Sequence, residues 1–183
     1  MTSRRTSWIG FAAALALYLM RIFPWATAQL WIDEVITLYN YAGAFHPGTT
    51  LGSVFRNYTL ANNHILSTAI YWLWLKVVPV SAPEILLRLP SLVFGALTLA
   101  VVVFWWRKWL GARIAVLGAI VFAASPVFPA FAYQIRGYSL SMLLAAIGVA
   151  LAATLLEQLQ TKKPTWRTQL ALFLTSLAQP LIM

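Results

Sequence analysis

Long apolar runs separated by short polar islands organise this chain of 183 residues. A helix crossing a hydrocarbon core of about 30 Å needs about 20 apolar residues. The stretches between charges give six candidates. Ser7 to Gln29 carries only Arg21, and His64 to Val80 carries Lys76 near its end. Leu89 to Trp106, Ile114 to Ile135 and Gly137 to Leu156 carry no charge, and Thr168 to Met183 closes the series. The pattern predicts an all-α, polytopic membrane protein with about five to six transmembrane helices. The last run stops at Gln179-Pro180-Leu181-Ile182-Met183 with no polar flank. The chain is therefore expected to be an N-terminal module, truncated at its C-terminus, with a small complete protein as the alternative. Arg4 and Arg5 before an apolar run, with Ala26-Thr27-Ala28 beyond it, also suit a signal peptide. Trp8 to Pro24 exceeds the usual apolar core of such a peptide, so an uncleaved signal anchor is expected.

Between the first run and His64, residues 30–63 are too polar to span and are expected to form an outer loop. Ile32, Val35, Ile36 and Tyr39 recur at helical spacing, with Asp33, Thr37, Asn40 and Tyr41 opposite. That pattern predicts an amphipathic helix lying in the membrane interface.

Composition supports the bilayer as solvent. Apolar residues make up 61% and charged residues 9% of the chain, against about 45–50% and about 25% in a soluble domain. The formal net charge is +9, from 13 Lys and Arg against 4 Asp and Glu. The cations lie singly or in pairs between apolar runs, which fits membrane loops and excludes a nucleic-acid groove. There is no Cys, which removes disulfides, thiolate nucleophiles and Cys-bound metal, and two His are too few for a His-rich metal site.

The cations also bear on topology. With six crossings and the N-terminus inside, five fall inside and seven outside, against the positive-inside rule. If the region from His64 to Trp106 nets one crossing, the count becomes eight inside and four outside. Ile65 to Leu75, only 11 residues without charge, is the natural incomplete or re-entrant passage, and this second arrangement is preferred. A reversed topology also satisfies the rule but puts Asp33 in the cytoplasm.

The polar islands carry the candidate chemistry. Asp33-Glu34 holds two of the four acids, directly after Trp31. A carboxylate at the bilayer centre costs about 2.5–3.5 kcal/mol, so one is retained for function or paired with a cation. The plain reading has Asp33 capping its helix and pairing with Arg21 or Arg56. Asn62, Asn63 and His64 gather hydrogen-bond donors at a helix entrance; as structure alone they are a cap and an imidazole bonded to a carbonyl. Arg88 opens a run with Pro90 in its first turn, and its plain role is a snorkelling flank. Arg136 stands between two uncharged runs with no acid nearby in sequence, a position in which a guanidinium wants an anion.

Read in order, Trp31-Ile32-Asp33-Glu34, Asn62-Asn63-His64, Glu84-Ile85-Leu86-Leu87-Arg88-Leu89-Pro90-Ser91 and Gln134-Ile135-Arg136-Gly137-Tyr138-Ser139 resemble the N-terminal part of the GT-C membrane glycosyltransferases. Within them the likeness is to the dolichyl-phosphate-mannose-protein mannosyltransferase-like group, which includes bacterial aminoarabinose transferases. Ser125-Pro126 fits as well. The resemblance covers nearly the whole chain but only the front of the family's architecture. It implies a multi-pass protein of the cell (inner) membrane, with residues 30–63 on the outer, periplasmic or extracellular side. It also implies sugar transfer from a polyprenyl-phosphate donor to an acceptor on that face. The implied catalytic residues are Asp33, as general base, and Glu34; the implied substrate-binding residues are Asn63, His64, Arg88, Gln134, Arg136 and Tyr138. Gln134 stands where the family often has an acid, and Ile65 where many relatives have Pro.

The chemistry agrees with these residue types. The leaving group is already a phosphate, so one base and several cations suffice, and Arg binds phosphate through two parallel N–H bonds. Displacement with a single carboxylate predicts inversion, whereas a retaining glycosidase needs two carboxylates about 5–5.5 Å apart. Adjacent helical residues diverge by about 100°, so Asp33 and Glu34 would not flank one bond together. No cofactor is called for; a hard divalent cation is the one ion that the acid pair could ligate. Two other readings stand beside this one: an inactive relative, and a transporter or channel subunit, for which internal repetition would be expected and none is found.

Overall fold

The computed structural model describes residues 2–46, 48–56, 64–161 and 165–182, all helical or irregular. The helices are α1 (Thr2–Ala26), α2 (Ile32–Ile36), α3 (Leu51–Arg56), α4 (Ile65–Trp74), α5 (Glu84–Leu87), α6 (Leu89–Phe104), α7 (Arg107–Leu110), α8 (Ala112–Ala124), α9 (Val127–Ala132), α10 (Tyr138–Gln160) and α11 (Trp166–Ala178). A π-helical turn, Thr37–Tyr41, continues α2, and a 3₁₀ turn, Gln179–Leu181, continues α11. Among the described residues three stretches are long and apolar enough to cross a membrane: Arg4–Ala26, Leu89–Leu110 and Tyr138–Gln160. At 1.5 Å per residue their 22 or 23 residues extend about 33–35 Å, enough for the hydrocarbon core.

Contacts at both ends fix how the helices run. Arg107 donates to Ser7 Oγ (3.2 Å) at one end, and Arg88 donates to the Ala26 carbonyl (3.0 Å) at the other, so α1 and α6 are antiparallel. Between these points Gly95 lets α6 close on the Tyr18 ring, whose hydroxyl donates to the Leu92 carbonyl (3.2 Å). Gly10 packs against Val116 where α8 starts, and Tyr18 and Trp25 meet Phe128 and Tyr133 where α9 ends, so the α8–α9 segment runs alongside α1. Gln179 bonds Ser141 (2.9 Å), and Thr175 lies beside Gly148, so α11 returns against α10. The core between these helices contains Ala14, Tyr18, Leu99, Val103, Ala119 and Ala123.

Helix α4 behaves differently. His64 at its start touches Tyr138 (ring centroids 5.4 Å), while Tyr71 bonds Ser91 (2.5 Å) and Trp74 Nε1 donates to the Leu86 carbonyl (3.0 Å). Both its ends are thus held at the end of the bundle where α6 and α10 begin. Its ten residues extend about 15 Å, half the hydrocarbon thickness. From His64 to Trp106 the chain therefore traverses the bundle once, through α6. Among the described residues Arg4, Arg5, Arg107, Lys108, Arg113 and Arg167 gather at one end. Asp33, Glu34, Glu84, Arg56, Lys76, Arg88 and Arg136 gather at the other, called here the Asp33 end.

Two sequence expectations are modified. The run Ile114 to Ile135 is not one helix: it breaks at Ser125-Pro126, where proline supplies no amide hydrogen and Ser125 Oγ accepts from Phe128 N (3.1 Å). A helix forms where one was expected, but the apolar face read from Ile32, Val35, Ile36 and Tyr39 is not the one that turns inward: that face is Glu34, Thr37, Leu38 and Ala42, and Ile32 is 75% exposed. The π turn, closed by Ala42 N donating to the Thr37 carbonyl (2.8 Å), resets the periodicity, and Glu34 decides which face turns in.

Candidate functional site

The Asp33 end is built around one buried ion pair. Arg88 lies between α5 and α6, with its side chain 0% exposed and that of Glu34 1% exposed. Arg88 Nε and Nη2 donate to Glu34 Oε1 (3.0 Å) and Oε2 (2.6 Å), a bidentate fork. Its remaining donors go to carbonyls where α1 ends: Nη1 to Ala26 (3.0 Å) and Ala28 (2.6 Å), Nη2 to Gln29 (3.1 Å). Glu34 in turn accepts from Ile135 N (2.9 Å) through Oε1 and from Trp31 N (2.9 Å) through Oε2. All five guanidinium N–H groups and all four carboxylate lone pairs are matched. One pair thus joins the end of α1, the start of α2, the start of α6 and the segment after α9. It explains why the chain holds a charge where burial alone would expel one.

Asp33, one residue earlier, points elsewhere. Its side chain is 40% exposed, and Oδ2 accepts from Arg136 Nη1 at 3.1 Å, with Arg136 12% exposed. The partner is neither Arg21 nor Arg56, which are both exposed. Arg136 has the anion its position called for, and the anion is a carboxylate of the same chain. The guanidinium lies over the Tyr138 ring at 4.9 Å, while its Nε is buried without a hydrogen-bond partner among the described residues.

His64 reaches the same ring from α4, edge-on. It is buried, its Nδ1 bonds the Ile182 carbonyl, and its Nε2 has no partner among the described residues. A carbonyl only accepts, so Nδ1 carries the hydrogen and Nε2 presents a lone pair. Burial, and secondarily the nearby Arg136 charge, holds the imidazole below its ordinary value, so it is neutral at pH 7. His64 is thus placed with the site, but not as a cation.

The remaining expected residues separate. Gln134, just beyond α9, bonds the Ala130 carbonyl of that helix (2.8 Å) and lines a small cleft with Trp25, Trp31 and Tyr133, a cleft that neither Asp33 nor Arg136 lines. Its carbonyl accepts from Ser91 Oγ (2.6 Å), which ties α6 to the segment carrying Arg136. Asn63 lies outside the described residues. Among the described residues no three His, Asp or Glu side chains converge as a metal site.

The structure thus gathers Asp33, Arg136, Tyr138 and His64, and places Glu34 and Arg88 beneath them as a saturated support. Sequence reasoning missed that division. The signal the sequence offered was Arg88 itself, an Arg placed directly before the Leu89–Leu110 span. Comparison with protein-family models, with curated proteins and with solved structures finds no match for this chain.

Proposed function

We propose that this chain is a GT-C-like membrane glycosyltransferase, or a catalytic module of one, crossing the membrane five times. The module transfers a sugar from a polyprenyl-phosphate donor to an acceptor on the outer face, with inversion. One observation carries the reading: Asp33, Arg136, Tyr138 and His64 come from three distant segments and meet at one end of an apolar helix bundle. The clustering of Arg4, Arg5, Arg107, Lys108, Arg113 and Arg167 at the opposite end supports a cytoplasmic assignment for that end. Asp33 then faces the outside of the cell membrane.

In the reaction the acceptor hydroxyl oxygen attacks the anomeric carbon while the bond from that carbon to the phosphate oxygen breaks. Asp33 takes the hydroxyl proton, and the donor leaves as polyprenyl phosphate. Arg136 stabilises the charge that grows on the phosphate. Its contact with Asp33 holds both groups in place before substrate arrives. Glu34 and Arg88 touch no substrate in this scheme: each has its hydrogen-bonding capacity filled, and they position Asp33 through α2.

The test is a transfer assay in membranes containing this chain, with radiolabelled polyprenyl-phosphate sugars as donors. Product that disappears in Asp33→Asn supports the reading. Product of equal yield in that variant refutes the role of Asp33, and absence of product with every donor favours an inactive relative.

A further inference from the structure

We propose that a second cleft at the Asp33 end binds the phosphate of a membrane phospholipid, independently of the glycosyl-transfer reading. The cleft, of about 220 Å³, lies between the loop after the π turn and the end of α4. Its lining includes Gly43, His46, Thr49, Trp72, Leu75 and Lys76. Lys76 projects its ammonium over the Trp72 ring at 4.7 Å, and Trp72 is itself fixed by Nε1 donating to the Thr49 carbonyl (2.9 Å). Gly43, at a φ of +88°, packs directly on the Thr49 side chain, so a side chain at Gly43 would collide with Thr49 and strain the loop that lines the cleft.

The electrostatics select an anion. The chain holds four acids; Asp33 and Glu34 are engaged by Arg136 and Arg88, and neither Glu84 nor Glu157 lines the cleft. Lys76 and His46 therefore face a space without a counter-charge, next to the Thr49 hydroxyl. The surroundings select a lipid over a soluble anion. Trp74 is bonded to Leu86, just before the Leu89–Leu110 span begins, so the end of α4 lies at headgroup level. Leu73, Val77 and Phe45 nearby are exposed apolar side chains that suit an acyl environment. A cation on an aromatic face at that depth, bordered by exposed apolar groups, matches a lipid phosphate with its ester chain.

The test is native mass spectrometry of the protein released from detergent micelles carrying phosphatidylglycerol or phosphatidylcholine. Wild type is expected to retain one phosphatidylglycerol molecule, and Lys76→Gln to lose at least three-fold of that retention. Lys108→Gln, at the opposite end, is the control and is expected to retain lipid as wild type does. Equal retention by Lys76→Gln and wild type overturns the proposal. Displacement of phosphatidylglycerol by an equal concentration of inorganic phosphate overturns the lipid assignment in favour of a soluble-anion site.

Discussion

Removing Arg88 is the sharpest perturbation of the bundle. In Arg88→Met the apolar stem is kept and the guanidinium is lost. Glu34 retains the Ile135 and Trp31 amides but loses its counter-charge, and the Ala26, Ala28 and Gln29 carbonyls each lose a donor. Breaking a buried pair from one side costs about 3–5 kcal/mol, because the surviving charge is left uncompensated. The Ala26 carbonyl, left buried without that donor, adds to the cost. Replacing both partners, as Glu34→Leu with Arg88→Met, removes the stranded charge, so the double variant is expected to be more stable than Arg88→Met alone. Arg88→Lys keeps the charge but offers three donors without a planar fork, and falls between wild type and Arg88→Met. The assay is reversible unfolding in mixed micelles, with Arg21→Met, an exposed cation of α1, as control. A loss under about 1 kcal/mol for Arg88→Met, no larger than the control, would refute the structural role. Arg88 would then have to be read as a ligand-binding residue held in place by something else.

Two further outcomes follow from local geometry. A methyl group on Gly95 would overlap the Tyr18 hydroxyl and ring, so Gly95→Ala is expected to cost about 1–3 kcal/mol in the same unfolding assay. Adding Tyr18→Phe is expected to recover part of that loss, and no recovery would dissociate the two residues. For His64, burial lowers the folded-state pKa below the ordinary 6.5, so the unfolded chain binds the proton more readily. The neutral ring's contribution to stability is fully present above pH 6.5 and declines as pH falls from there through the folded-state value. The fall in melting midpoint from pH 7.5 to pH 5 is therefore expected to be larger in wild type than in His64→Gln; identical profiles would contradict the burial.

Much of this was legible along the chain, and the failures have a common cause. The apolar runs mark the helices because hydrocarbon tolerates nothing else, and Pro90 falls in the first turn of α6 as expected. The 11 charge-free residues from Ile65 to Leu75 already signalled a short α4, which has ten residues. Arg136 announced its need for an anion through isolation alone. Pairing was not legible. Asp33 and Arg136 are 103 residues apart, and Glu34 and Arg88 are 54 apart, while the nearer cations Arg21 and Arg56 point away. Which cation an acid meets depends on how α1, α6 and the segment after α9 converge, a property of packing with no local signature. The same packing turned Glu34 inward against the apolar periodicity of Ile32, Val35, Ile36 and Tyr39.

Two adjacent acids do different work in this protein, and the direct measurement compares Asp33→Asn with Glu34→Gln in both stability and sugar transfer. Asp33 is part exposed and its contact with Arg136 lies at the surface of the site, so its loss is expected to leave stability within about 1 kcal/mol of wild type, while transfer from the polyprenyl-phosphate donor is abolished. Glu34→Gln is expected to cost about 3 kcal/mol or more by leaving Arg88 buried without its counter-charge, and to reduce transfer only in proportion to the folded protein recovered. A stable, inactive Glu34→Gln beside an active Asp33→Asn would contradict the assignment.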